Sequence, residues 1–156
     1  MIESTSTIRI ERPAWFIFSF LSDIEGSPIW EQFEMRAIKI SPGEVGLGTE
    51  FHLVHRNYER TLRVTEYEKD SLLGAKTVEP SAPKVALRFK LQPQGNSQTQ
   101  LSIEWKLETG TAALLERLVA GKIKSAVLES FYHLRELLET GSVTLDDGRE
   151  INLPSE

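Results

Sequence analysis

A chain of 156 residues, 40% hydrophobic and 26% charged, has the size and composition of one globular domain and excludes a disordered or fibrous protein. Its net charge of -5 disfavours non-specific binding to nucleic acid or to an anionic membrane, because both require cationic surfaces. The absence of cysteine excludes disulfides and thiolate metal sites and favours a reducing, cytoplasmic location.

Alternating apolar and polar residues over 4–11 predict a half-buried first strand. Beyond Pro13 the apolar residues recur at helical spacing, which predicts a short helix ending near Asp23. A second short helical or irregular segment opens at Pro28. Six further alternating segments with short, turn-rich links predict consecutive antiparallel strands. They are residues 35–40, 49–56, 60–67, 71–78, 84–91 and 98–108.

Over residues 111–140 the apolar residues recur at helical spacing, which predicts one long amphipathic helix. Thr111 is the predicted N-cap, and Gly141 the predicted left-handed residue that ends the helix. The apolar stripe consists of Leu115, Leu118, Val119, Ile123, Ala126, Val127, Phe131, Leu134, Leu137 and Leu138. The tail, residues 142–156, carries four acids and one base and predicts a small hairpin or an extended arm. Deleting this tail is expected to leave the fold intact.

This order of elements predicts an α+β fold. A curved, seven-stranded antiparallel sheet wraps around the long C-terminal helix, and two short helices follow the first strand. Residues 1–141 form one predicted domain, and residues 142–156 form an acidic tail or a small hairpin. No apolar run approaches the roughly 20 residues that cross a bilayer, so no membrane span is expected.

Several segments resemble those of one superfamily. They are Pro13-Ala-Trp-Phe-Ile-Phe-Ser-Phe-Leu-Ser-Asp23, Pro28-Ile-Trp30, Val45-Gly-Leu-Gly-Thr49, Val64-Thr-Glu-Tyr67 and the closing helix. On these residues the chain resembles the START-like, polyketide cyclase/dehydrase superfamily (SRPBCC), whose fold is called helix-grip. The resemblance implies binding of a small hydrophobic, lipid-like or aromatic ligand in an internal cavity. It leaves open a polyketide cyclase or dehydratase and a protein-interaction module, because superfamily members differ in function.

Strand alternation identifies the side chains that would face such a cavity. Phe51, Leu53 and His55 share one face of the third strand, and the same alternation puts Leu62, Val64 and Glu66 on one face of the fourth. An ionisable side chain among the apolar residues of one strand face lies at the mouth of the cavity or has a function. The candidate acids and bases are therefore His55, Glu66 and Arg60. The candidate ligand-binding residues are Trp30, Phe33, Phe51, Leu53, His55, Leu62, Val64, Phe89, Trp105, Val127 and Phe131.

No metal or cofactor is predicted. His52 and His55 are three residues apart on a strand and point to opposite faces, and His133 lies off the centre of the helical stripe. The glycines at 43, 46 and 48 precede a strand rather than a helix, which favours a turn over a nucleotide-binding loop. The expected partners are a small hydrophobic molecule and, through an edge strand, a second copy of the chain.

Overall fold

The computed structural model describes residues 1–29, 36–145 and 148–153 of the chain. Seven strands form one antiparallel sheet in the order β1-β7-β6-β5-β4-β3-β2. The first strand, β1, therefore pairs with the last strand of this sheet, β7. The strands are β1 (Ile2–Ile10), β2 (Arg36–Lys39), β3 (Glu50–Val54), β4 (Glu59–Glu68), β5 (Leu72–Thr77), β6 (Lys84–Pro93) and β7 (Thr99–Glu108). The predicted α+β fold class is confirmed.

Two short helical segments follow β1, as the sequence predicts. Helix α1 (Ala14–Ser22) begins directly after Pro13, whose carbonyl accepts hydrogen bonds from the backbone N–H groups of Phe16 and Ile17. A 3-10 helix covers Ile24–Ile29, somewhat earlier in the chain than the predicted segment. The apolar side of α1 is buried in the core, which fixes this end of the chain against the sheet.

The long helix α2 (Ala113–Thr140) ends as predicted but begins differently. Gly141 adopts φ of 85° and donates its N–H to the carbonyl of Leu137 at 2.9 Å, a left-handed termination that glycine accepts without steric cost. The predicted N-cap is wrong, because Ala112 occupies that position and no side chain caps the first turn. The Thr111 hydroxyl instead hydrogen-bonds the hydroxyl of Thr109 at 2.7 Å.

Only the C-terminal half of α2 belongs to the hydrophobic core. Phe131, Leu134 and Leu138 are buried with residues from the inner face of the sheet. The stripe predicted from the sequence is wrong at its start, since Leu115, Leu118 and Val119 are exposed. Helical period identifies one face of a helix, but it does not determine how far along the helix other elements cover that face. No helix in the described ranges is both long and apolar enough to span a membrane.

The described part of the tail forms the hairpin rather than the extended arm. Strands β8 (Ser142–Thr144) and β9 (Glu150–Asn152) pair antiparallel. The side chain of Val143 is buried, and the N–H of Leu153 bonds the carbonyl of Gly141 at 2.8 Å. The division of the chain at residue 141, and the expectation that the core folds without the tail, stay predictions.

Candidate functional site

A pocket of about 270 Å³ lies between the inner face of the sheet and α2. Its two walls come from alternate residues of β6 and β7 and from one side of α2, and its end comes from the β3–β4 link. The lining residues are His55, Tyr58, Val85, Leu87, Ile103, Trp105, Leu107, Ile123, Val127 and Phe131.

Strand register and helical period together build these walls. Leu87 pairs with Trp105, and Val85 with Leu107, so the four side chains point to the same face of neighbouring strands. On α2 the lining residues are four apart, at Ile123, Val127 and Phe131, which puts them on one side of the helix. The walls are apolar because the inward-facing positions of β6, β7 and α2 carry apolar residues along their length. Some of these residues fill the core, and others line the pocket.

Besides the indole of Trp105, the lining side chains that carry polar atoms are the imidazole of His55 and the phenol of Tyr58. Their rings stack with centroids 4.4 Å apart and planes 22° from parallel. A backbone hydrogen bond of 2.9 Å from the N–H of His55 to the carbonyl of Tyr58 closes the turn between β3 and β4. The turn continues the β3–β4 hairpin, in which Val54 pairs with Glu59, and it holds both rings at the pocket.

Arg60 supports this end of the pocket and is not among its lining residues. Its guanidinium donates hydrogen bonds to the carbonyls of Ala82 at 2.7 Å and Pro83 at 3.0 Å, and lies 5.5 Å from the ring centre of Tyr58. These bonds tie the β5–β6 link to the start of β4, two residues beyond Tyr58. The role of Arg60 as an acid or base stays a prediction.

Glu79 lies in the same β5–β6 link. Its carboxylate accepts the backbone N–H of Thr61 at 2.6 Å. Burial raises the pKa of Glu79, but the backbone hydrogen bonds and the positive charge of Arg60 outweigh it and lower that pKa below its ordinary value. The ionised carboxylate is thus the form that holds the link against β4.

The predicted inward position of Glu66 is wrong. Val64 pairs with Ala75, but Glu66 pairs with Gly74, so a β-bulge adds one residue to β4 between them. One extra residue reverses the alternation and turns Glu66 to the outer face. There its carboxylate lies 3.0 Å from the guanidinium of Arg88. A Cβ at Gly74 would lie 3.0 Å from the same carboxylate and 3.2 Å from the Cβ of Glu66, so a larger residue there would require Glu66 to shift by a few tenths of an ångström.

The other candidate residues fall into three groups. Trp105, Val127 and Phe131 line the pocket together with His55. Buried in the core, and absent from the pocket lining, are Phe51, Leu53, Leu62, Val64 and Phe89. Phe89 packs behind Phe131 with ring centres 5.7 Å apart. Trp30 and Phe33 lie outside the described residues.

Six lining residues were absent from the candidates drawn from the sequence: Tyr58, Val85, Leu87, Ile103, Leu107 and Ile123. Five of them belong to alternating or helical patterns visible in the sequence, so those patterns could have identified them as inward-facing residues. Tyr58 lies in a link and has no such signal. Its position follows only from the turn that stacks it on His55.

The remaining histidines lie apart from the pocket. The ring of His52 is 3.0 Å from the carboxylate of Glu59, and that of His133 is 3.9 Å from Glu129 on the preceding turn of α2. Among the residues that the structure describes, no cluster of three or more histidines and acids could hold a metal ion.

The chain is similar to solved structures across most of its length. A START superfamily protein from Mycobacterium smegmatis aligns with a TM-score of 0.69 and 16% identity, over 88% of this chain and 99% of that one. The chain has a START-like fold. No protein-family model and no curated protein matches it.

Two further structures with this START-like fold are di-domain ARO/CYC proteins. BexL, from the BE-7585A biosynthetic pathway, aligns with a TM-score of 0.65 and 12% identity over 94% of this chain. StfQ, from the steffimycin biosynthetic pathway, aligns with a TM-score of 0.52 and 19% identity over 84% of this chain. The aligned regions cover 52% and 46% of those two proteins, which is about one of their two domains.

Proposed function

We propose that the protein binds a small hydrophobic molecule in the pocket between the sheet and α2. The observation that carries the proposal is an apolar pocket with two polar rings, His55 and Tyr58, held together at its end. Ligand sites are typically apolar with a few placed polar groups that fix orientation. The similarity to a START superfamily protein supports the same function.

The pocket volume limits the ligand's size. About 270 Å³ lies just below the range of about 300–1,000 Å³ typical of ligand pockets. It equals the liquid volume of about nine water molecules at roughly 30 Å³ each. We therefore expect a short acyl chain or a compact aromatic ring system, rather than a two-chain lipid. A single hydroxyl or carbonyl group would hydrogen-bond at His55 or Tyr58.

Native mass spectrometry of freshly purified protein tests the proposal directly, through the mass of a retained molecule. Melting temperatures with medium-chain fatty acids, phenols, fused-ring aromatics and sterols provide the second measurement. A ligand at 100 times its Kd stabilises the protein by about 2.7 kcal/mol, which raises the Tm of a domain of this size by about 5–11 °C. The compact ligands should produce this shift, and sterols should not.

A blocked pocket provides the matched comparison. Val127→Trp places an indole in the pocket, and Val119→Trp places the same side chain at an exposed position of the same helix. We expect the first variant to fold and lose the ligand-induced shift, and the second to keep it. If no compound shifts either the wild type or Val119→Trp, the chain's function lies outside the pocket, as in an interaction module.

A second candidate function is a cyclase or dehydratase, for which His55 would serve as the acid or base. An imidazole can both accept and return a proton. The stacked phenol of Tyr58 could donate a hydrogen bond to a carbonyl of the same substrate. The similarity to two ARO/CYC proteins supports this candidate. Turnover of a polyketide-like substrate by the wild type distinguishes it from simple binding.

A further inference from the structure

The first two turns of α2 present a strip of exposed apolar side chains. The exposed fractions are 67% for Leu114, 53% for Leu115, 72% for Leu118 and 41% for Val119. Residues four apart on a helix are neighbours, so Leu114 lies beside Leu118 and Leu115 beside Val119. We call these four residues the leucine strip. Contiguous exposed apolar residues of this kind mark a surface that contacts another molecule.

The exposed charged side chains on residues 113–124 of α2 have one sign. Arg117, Lys122 and Lys124 are exposed on the same stretch of helix, and none forms an ion pair within the ranges that the structure describes. The acid in this stretch, Glu116, is buried. Its carboxylate binds the amino group of Met1 and accepts a hydrogen bond from the Thr109 hydroxyl. The surface presented by residues 113–124 is therefore apolar and cationic.

We propose that the leucine strip docks onto the surface of an anionic phospholipid membrane. An amphipathic helix enters the interface with its apolar side chains among the acyl chains and its lysines and arginines at the phosphate groups. The net charge of -5 does not oppose this, because salt screens charges beyond about 8 Å and the residues that touch the membrane decide the interaction.

A second copy of the chain fits this surface less well. A two-fold interface brings the same patch of each subunit together, so it would gather the three cations beside each leucine strip, six in all, at one interface. Like charges in such an interface oppose association. An anionic lipid surface instead neutralises Arg117, Lys122 and Lys124 while it covers the leucines.

Docking by this helix would also place the pocket at the membrane. Ile123 and Val127, which line the pocket, lie one and two turns beyond Val119 on α2. A hydrophobic molecule could then move between the bilayer and the pocket with little exposure to water. The docking proposal does not depend on what the pocket binds.

Vesicle flotation of the full chain tests the proposal at 0.1 M NaCl. We expect binding to vesicles of phosphatidylcholine with 30% phosphatidylserine, and at least tenfold weaker binding to pure phosphatidylcholine. Leu114→Ser combined with Leu118→Ser, and Lys122→Glu combined with Lys124→Glu, should each weaken binding at least tenfold. Circular dichroism confirms that the variants fold, which the exposure of all four residues favours.

Leu47→Ser is the matched control, since Leu47 is 73% exposed and lies in the link between β2 and β3. It should bind vesicles as the wild type does. Equal loss in this control would show that the strip is not the docking surface. Absence of binding to the anionic vesicles would overturn the proposal. So would a dimer, seen by analytical ultracentrifugation, that dissociates in the double serine variant, because the strip would then be a subunit interface.

Discussion

Replacing His55 by alanine separates a binding protein from an enzyme. The substitution removes the imidazole from the pocket but keeps the backbone hydrogen bond to Tyr58, so the turn stays closed. Loss of the stacked ring pair costs about 0.5–1.5 kcal/mol. This lowers the Tm by about 1–6 °C, small enough for the variant to remain folded during an assay.

The two functions predict different consequences for the ligand. In a binding protein, the loss of one neutral hydrogen bond weakens affinity by about 0.5–1.5 kcal/mol, or about 2- to 13-fold in Kd. In a cyclase or dehydratase that uses this group, turnover falls by about 10²–10⁴-fold while binding stays nearly intact. Isothermal titration with the compound identified by mass spectrometry measures the first effect, and single-turnover kinetics measures the second.

His52→Ala is the control for this experiment. His52 lies three residues earlier, on the opposite face of β3, and its ring contacts Glu59 rather than the pocket. We expect its ligand affinity and turnover to match those of the wild type. If His55→Ala matches the wild type in both measurements too, the imidazole neither orients nor transforms the ligand, and the assignment of this end of the pocket is refuted.

Three further changes test other parts of the structure. Glu66→Gln removes the outer-face pair with Arg88, and ligand affinity by titration should not change, whereas a loss of tenfold or more would place Glu66 at the pocket. Because the folded state lowers the pKa of Glu79 below 4.5, its ionised form contributes stability above that pH and loses the contribution as pH falls. Melting curves should therefore show a smaller drop between pH 6 and pH 3.5 for Glu79→Gln than for the wild type, and equal drops would contradict the role of this carboxylate. Deleting residues 142–156 removes the buried Val143, worth about 1.5–3 kcal/mol, so the truncated chain should fold with a Tm lower by about 3–12 °C; an unfolded product by circular dichroism would show that the tail belongs to the core.

Local patterns in the sequence were sufficient for the secondary structure and its order. The period-2 segments are the strands of the sheet, and residues 113–140 are the helix that the apolar stripe predicts. Gly141 ends that helix because a left-handed residue is a local requirement of the backbone. His55 directly follows β3 and is one of the residues that line the pocket, whereas its role toward a ligand stays a prediction.

The site required the tertiary structure. The bulge after Val64 reverses the face of Glu66, and it is defined by the pairing of β4 with β5, a strand that lies beyond a turn in the chain. Alternation marks Phe51 and Leu87 equally as inward, yet the first fills the core and the second lines the pocket. Which of them meets empty space depends on which side chains of α2 and of the β3–β4 link lie opposite. The period at which apolar side chains recur is a property of neighbouring residues. The volume between the sheet and α2 depends on residues far apart in the chain, so only the folded structure determines that volume.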